Sequence, residues 1–216
     1  MKKEENLYDE PDLETPKTEE EEPQVSFVLG GQEPPGPDMQ EMDSGLSIKD
    51  SLLYFIGSVD EFSLLDFMAK TRTILKNRPE ENAKDPISVV IDSFGGDVYS
   101  TLGIIDFMEN LEVPVNTIAR GRCMSAAAII LACGTGDRIA SKRTSLMLHN
   151  SSGGASGTAR EIRINIEHHD NLDSELYSIL ADKTKKPESW WKENLRNDLY
   201  INADKALELG IIDSIG

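Results

Sequence analysis

The sequence predicts an α/β domain of repeated strand–helix units on a mostly parallel sheet. Short runs rich in β-branched and aliphatic residues alternate with longer segments of helical periodicity. The stretches between those runs are long enough for helical crossovers, which parallel strands require. Glycines punctuate the strand ends, at Gly57, at Gly95 and Gly96, and at Gly121.

The elements follow in order from residue 46. Leu52, Leu53, Tyr54, Phe55 and Ile56 read as a buried strand ending at Gly57. Residues 62–75 have helical spacing, with Leu64, Leu65, Phe67, Met68 and Ile74 on one side. Residues 86–91 form a second strand, 98–111 a second helix and 113–119 a third strand. Residues 125–133 are a short, almost wholly apolar helix, followed by strands at 138–140 and 145–148. A long polar helix is predicted over 158–183, then shorter helices near 187–195 and 203–209 and a last strand at 211–215. No internal repeat is present. Open parallel sheets bind ligands beyond the carboxyl ends of their strands, so functional loops are expected after Ile91, Ala119 and Leu148.

Charge divides the chain. Its net charge is −17, and residues 1–45 hold 14 acidic residues against three lysines, together with six of the ten prolines. Low apolar content and a charge run of one sign predict an acidic disordered N-terminal tail over 1–45, interrupted by the apolar patch 25–29, and a folded domain over 46–216. A chain this acidic repels phosphates and anionic lipid, so neither nucleic acid nor a membrane surface is expected as a partner. No run of about 18 apolar residues is present, and the basic start at Lys2 and Lys3 has no apolar segment behind it, against a secretory signal. Cys123 and Cys133 match no zinc pattern or disulfide framework and read as buried thiols of a reducing compartment, a cytoplasmic location.

Three places can hold chemistry. At Asp92-Ser93-Phe94-Gly95-Gly96-Asp97 paired glycines permit a sharp turn and bare N–H groups at a helix start, suited to a phosphate or an oxyanion, or to nothing more than a tight turn. No Walker lysine follows and no G-x-G-x-x-G occurs, against a nucleotide site. Ser125 opens the apolar helix after the Gly121 turn; it is either a plain N-cap or a hydroxyl held at the mouth of a site, with the small Ala126, Ala127 and Ala128 allowing another chain close approach. His149 ends a strand, where the sheet presents function, and is the natural general base; His168 and His169 sit on the polar helix and read as solvated surface. A serine–histidine pair needs an orienting carboxylate, and Asp92, Asp97, Asp106, Asp170, Asp173, Asp182 and Asp198 all remain open.

In this order the motifs resemble the ClpP family, the proteolytic subunit of the Clp protease. Asp92-Ser93-Phe94-Gly95-Gly96 is similar to the family's Asn-Ser-Pro-Gly-Gly, and Cys123-Met124-Ser125-Ala126-Ala127-Ala128 to Ala-Ala-Ser-Met-Gly-Ala. Met147-Leu148-His149-Asn150-Ser151-Ser152-Gly153-Gly154 is similar to Met-Ile-His-Gln-Pro-x-Gly-Gly, and Arg196-Asn197-Asp198 to Glu-Arg-Asp. The ending Ala206 to Asp213 resembles Ala-x-Glu-Tyr-Gly-Leu-Ile-Asp. Phe94 stands where the family has proline, as does Ser151, and Asn197 replaces an arginine that pairs across the ring–ring contact. The family's short axial hairpin has no clear counterpart.

The resemblance implies a ClpP/crotonase-like fold with a protruding strand–helix handle. It implies serine endopeptidase chemistry on unfolded or extended polypeptides, with Ser125 as nucleophile, His149 as base and Asp198 as the acid. Gly96 and Ala126 would supply the oxyanion hole, and Gly95, Gly153, Gly154, Ser156 and Gly157 would contact substrate, the last four by strand addition. It further implies a heptameric ring, usually doubled. ATP would be used only by a separate Clp-type unfoldase, with no metal or cofactor in the peptidase. Rival readings are a catalytically silent ring scaffold, a crotonase-type acyl-CoA enzyme and a serine–lysine protease.

Overall fold

A computed structural model describes residues 44–216; the acidic segment up to residue 43, including the patch 25–29, lies outside the described residues. The described chain starts with a short strand, β1 (Leu46–Ser47), antiparallel to β2 (Leu52–Val59). β3 (Ile87–Gly96) and β4 (Val115–Met124) continue the sheet in parallel. Beyond β4 the sheet divides. Thr117 to Ala119 pair with β5 (Arg138–Ala140), which in turn pairs with β8 (Ser214–Ile215). Arg122 to Met124 pair instead with β6 (Ser145–Leu148), and β7 (Leu199–Asn202) lies antiparallel to β6. The mostly parallel α/β reading holds, with antiparallel pairs at the β1 edge and at β6–β7.

Among the described residues six α-helices accompany these strands. α1 (Glu61–Asn77) starts with a capping box, in which Ser63 N donates to Asp60 Oδ1 at 2.8 Å and Asp60 N donates to Ser63 Oγ at 2.8 Å. It buries Phe67, Thr71 and Ile74, at helical spacing; Leu65, assigned to that side by the sequence pattern, faces outward because it lies about half a turn away from Phe67 and Ile74. α2 (Val98–Glu109) is capped by Asp97, whose carboxylate accepts Ser100 N at 2.7 Å. α3 (Ala126–Ala132) is buried along its whole length against β3 and β4, which is why it has no polar face. α4 (Ala159–Lys183) begins at a second capping box, Thr158 with Glu161. α5 (Glu188–Asn194) anchors the far end through fully buried Trp191, whose indole N–H donates to Thr184 Oγ1 at 3.1 Å. α6 (Ala203–Leu209) ends at Gly210, in the left-handed conformation at φ 80°.

Two sequence expectations are corrected here. The last strand is confined to Ser214–Ile215; Ile211 and Ile212 are buried in the turn after α6 rather than paired. The helix of the expected handle is present as α4, but residues 149–157 pair with no strand among the described residues.

Arg138 ties the C-terminal elements together. Its Nε and Nη2 donate to the two carboxylate oxygens of Asp213 at 2.9 and 2.6 Å, and its Nη1 donates to Lys183 O at 2.6 Å. The hydrogen bonds from Arg138 hold the Asp213 carboxyl below its usual range. A depressed carboxyl contributes stability above its unfolded pKa of about 4, lost as pH falls through the folded value. Asp213→Asn should therefore lower Tm at pH 7, by the equivalent of about 1 kcal/mol for this half-exposed bidentate pair. The gap to wild type should shrink as pH is lowered below about 4. Thermal melts of both proteins across that range check it, and a gap that widens in acid would contradict it.

Candidate active site

Both strands that lead to the site run past the ends expected from sequence. β3 does not stop at Ile91 but continues to Gly96, because β2 extends alongside it and pairs Val59 with Gly96. β4 does not stop at Ala119 but continues to Met124, because β6 takes over as its partner. The glycine pair therefore lies on an extended strand rather than in a loop.

Ser125 sits where β4 becomes α3. Its N–H donates to Met147 O at 2.6 Å, prolonging the β4–β6 pairing up to the residue itself. There the backbone turns abruptly, at φ 54° and ψ −126°. For a non-glycine residue this costs roughly 1–3 kcal/mol, a strain that folds tend to keep at functional positions. Ser125 occupies the N-cap position of α3, yet its side chain caps nothing. Its Oγ lies 2.8 Å from His149 Nε2 instead.

His149 follows β6 directly. The antiparallel register pairs Leu148 with Leu199, so His149 and Asp198 are the next residues outward on adjacent strands. His149 Nδ1 lies 3.6 Å from Asp198 Oδ1, within ion-pair range but longer than a hydrogen bond, with Asp198 more than half exposed. Three of the other candidate acids have different partners. Asp97 caps α2, Asp173 Oδ1 accepts Ser151 N at 2.8 Å, and Asp92 is paired with Arg122.

The glycines are required by space as well as by conformation. Gly95 has φ +90°, and a Cβ there would lie 2.5 Å from Met124 O and 2.9 Å from Ala126 N. Gly96 has φ +155°, and its Cβ would meet Val59 O at 2.1 Å. β3 thus lies flat against the serine turn. The Gly95 N–H donates to buried Ser93 Oγ at 3.0 Å.

A cavity of roughly 170 Å³ opens beside Ser125 and His149, with Gly96 and Ala126 on its wall and Ile129, Leu172 and Leu176 among its apolar lining. Of the expected substrate-contacting residues, Gly95, Gly153, Gly154, Ser156 and Gly157 do not line it, whereas Ser151 and Ser152, unassigned from sequence, do. Gly153 packs against the His169 ring and Gly154 faces open space.

Sequence reasoning passed over several residues here. His169 lines the cavity and His168 hydrogen-bonds and stacks with Tyr99, ring centroids 6.2 Å apart, so the pair is not merely solvated surface. Tyr99, in the first turn of α2, is the residue that His168 of α4 meets. Tyr177 donates from its hydroxyl to Asn150 Oδ1 at 2.6 Å, and Asn150 N donates to Leu195 O at 3.2 Å, so the residue after His149 is tied to two helices. Burial, and then the nearby Asp173, push the Tyr177 hydroxyl upward, keeping it a donor. The OH and amide of these side chains carried no periodic signal that could mark them.

Cys123 and Cys133 are free and fully buried; desolvation raises the Cys123 thiol and pushes Cys133 up to about 12, so both stay protonated and unreactive. Among the described residues no group of three or more His, Cys, Asp or Glu side chains is placed to hold a metal, and no helix is long and apolar enough to cross a membrane.

A sequence model described as Clp protease matches residues 58–216, the region that contains every element of this site. The chain belongs to the Clp protease family. It is 34% identical to an ATP-dependent Clp protease proteolytic subunit of Bacteroides thetaiotaomicron, over 77% of this chain and 74% of that protein. It is 36% identical to proteolytic subunit 1 of Prochlorococcus marinus, over 62% of this chain and 70% of that one. A chloroplastic proteolytic subunit 4 of Arabidopsis thaliana is 31% identical over 79% of this chain and 58% of its own length. Membership in the Clp protease family makes the chain a Clp-type serine peptidase, and the crotonase and serine–lysine readings fall away.

Proposed function

We propose that Ser125, His149 and Asp198 are the catalytic residues of this peptidase. The observation that best supports the reading is the 2.8 Å contact from Ser125 Oγ to His149 Nε2, made by a serine in a strained backbone conformation that does not use its side chain as a cap. In the resting state the serine O–H donates to Nε2, and Nδ1–H faces Asp198. Oγ attacks a peptide carbonyl as Nε2 takes its proton. The Asp198 carboxylate stabilises the imidazolium and keeps the ring in the tautomer that leaves Nε2 free to accept. The oxyanion of the tetrahedral intermediate is received by the N–H groups of Gly96 and Ala126, each such donor being worth about 3 kcal/mol of barrier. Collapse expels the amine, which takes the proton back from Nε2. Water then repeats the sequence on the acyl-enzyme and releases the carboxylic acid. No metal or nucleotide takes part in these steps.

The substrate is an extended polypeptide. Residues 149–157 are irregular and largely exposed, suited to pairing with an added strand, with Gly95, Gly153, Gly154, Ser156 and Gly157 contributing backbone contacts. The chain acts as a subunit of an oligomeric, heptameric ring, single or stacked in pairs, served by a separate Clp-type ATPase as the names of its relatives imply. Exposed Tyr54, Ile56, Phe62 and Leu65 offer apolar surface for self-association. Its protonated thiols suit the cytoplasm.

The test is intact-mass spectrometry after treatment with a serine-directed fluorophosphonate. One adduct on the wild-type chain, absent from Ser125→Ala, is the expected result. No adduct on assembled wild type would overturn the reading in favour of a silent scaffold.

A further inference from the structure

β3 and β4 do not pair evenly on the way to the site. Ile91 pairs with Ala119 and Ser93 with Cys123, so the single residue Asp92 stands opposite the three residues 120–122. Gly121 makes that bulge at φ +70°, and a Cβ there would sit 3.2 Å from Asp92 Oδ2. Everything beyond this break matters to catalysis, since β3 goes on to Gly95 and Gly96 and β4 to Ser125. A break of this kind interrupts the ladder, bends the strand and re-aims the residues beyond it.

Arg122 closes the break. Its Nε lies 2.8 Å from Asp92 Oδ1, and its guanidinium carbon lies 4.1 Å from the centre of the Phe94 ring. Asp92 and Phe94, two residues apart on β3, share one face of the strand, and Arg122 spans both from β4. Asp92 Oδ1 and Arg122 Nε are shielded from water and make no directed hydrogen bond, so charge and stacking hold the contact. The Phe94 ring is otherwise largely exposed. Phe94 also stands where the related motif has a proline, whose ring would stiffen the strand by itself.

We infer that Asp92, Arg122 and Phe94 form a clamp that positions the Gly95–Gly96 strand against the Ser125 turn, replacing with side chains the rigidity of a proline. Arg122 is then a positioning residue, acting through β3 on the oxyanion-binding glycines. The inference rests on the peptidase reading for its consequence, but the clamp itself is a property of the strands.

Wild type, Arg122→Gln, Arg122→Lys and the double variant Phe94→Pro/Arg122→Gln test it in the assembled full-length protein. Hydrogen exchange of the 92–97 amides should speed up about tenfold in Arg122→Gln, and less in Arg122→Lys, which keeps the charge but loses the planar stacking. It should return towards wild type in the double variant. Fluorophosphonate labelling and kcat for a short peptide should fall three- to tenfold in Arg122→Gln, with KM unchanged, and recover with proline. Unchanged exchange in Arg122→Gln would overturn the clamp, as would a raised KM that proline does not rescue, since Arg122 would then be binding substrate. Failure of wild type to label counts against the peptidase reading alone, because the exchange measurement reads the strand directly.

Discussion

His149→Ala is expected to lower kcat for peptide hydrolysis by about 10⁴-fold or more, the size of loss seen when one member of a cooperating catalytic unit is removed. The reason is geometric. His149 Nε2, the proposed base, lies 2.8 Å from Ser125 Oγ, whereas His169, which also lines the cavity, makes no hydrogen bond with that hydroxyl. Without a base the serine stays protonated and is a poor nucleophile at neutral pH. The fold should survive, because the ring is partly exposed and outside the main core. Steady-state kinetics on a fluorogenic peptide, with thermal melts as a control, check this. A variant retaining a tenth of wild-type activity would show that another group serves as base.

Gly95→Ala should be the next most damaging single change, costing about 10²–10³ in kcat/KM, comparable to the loss of an oxyanion donor. The added Cβ meets Met124 O at 2.5 Å and Ser125 Cβ at 2.8 Å. The first of these is backbone and cannot rotate away. The φ of +90° adds strain for any L side chain. Relief requires β3 to move off the serine turn, which opens the proposed oxyanion site and lowers Tm. Gly57→Ala is the matched control, since its φ of +105° strains a side chain in the same way while nothing lies within 4 Å of a Cβ there. Kinetics and melts of the two variants side by side should separate them sharply; equal effects would mean that strain at positive φ, and not the clash, dominates.

The path from residues to site was readable in some places and opaque in others. Leu52 to Ile56 and the run from Ile87 to Ile91 announced strands, because buried strands need continuous apolar β-branched residues. β7 was not announced. Leu199-Tyr200-Ile201-Asn202 lies between two helical segments, and it becomes a strand because β6 offers hydrogen bonds. Yet β7 is what sets Asp198 beside His149. Chemistry left seven aspartates open, and only the Arg196-Asn197-Asp198 motif favoured one of them.

The sequence by itself determined the alternating strand–helix order, the family, and a serine and a histidine at strand ends. These are local properties, written in composition, period and motif. Only the tertiary structure decided how far β3 and β4 run and that His169 lines the cavity together with His149. It also decided that Ser125 turns at φ 54° instead of capping α3, and that Arg122 reaches across to Asp92 and Phe94. Each of those depends on a partner distant in sequence, and neither strand length nor side-chain pairing is set until the neighbouring element supplies its hydrogen bonds, its charge or its bulk.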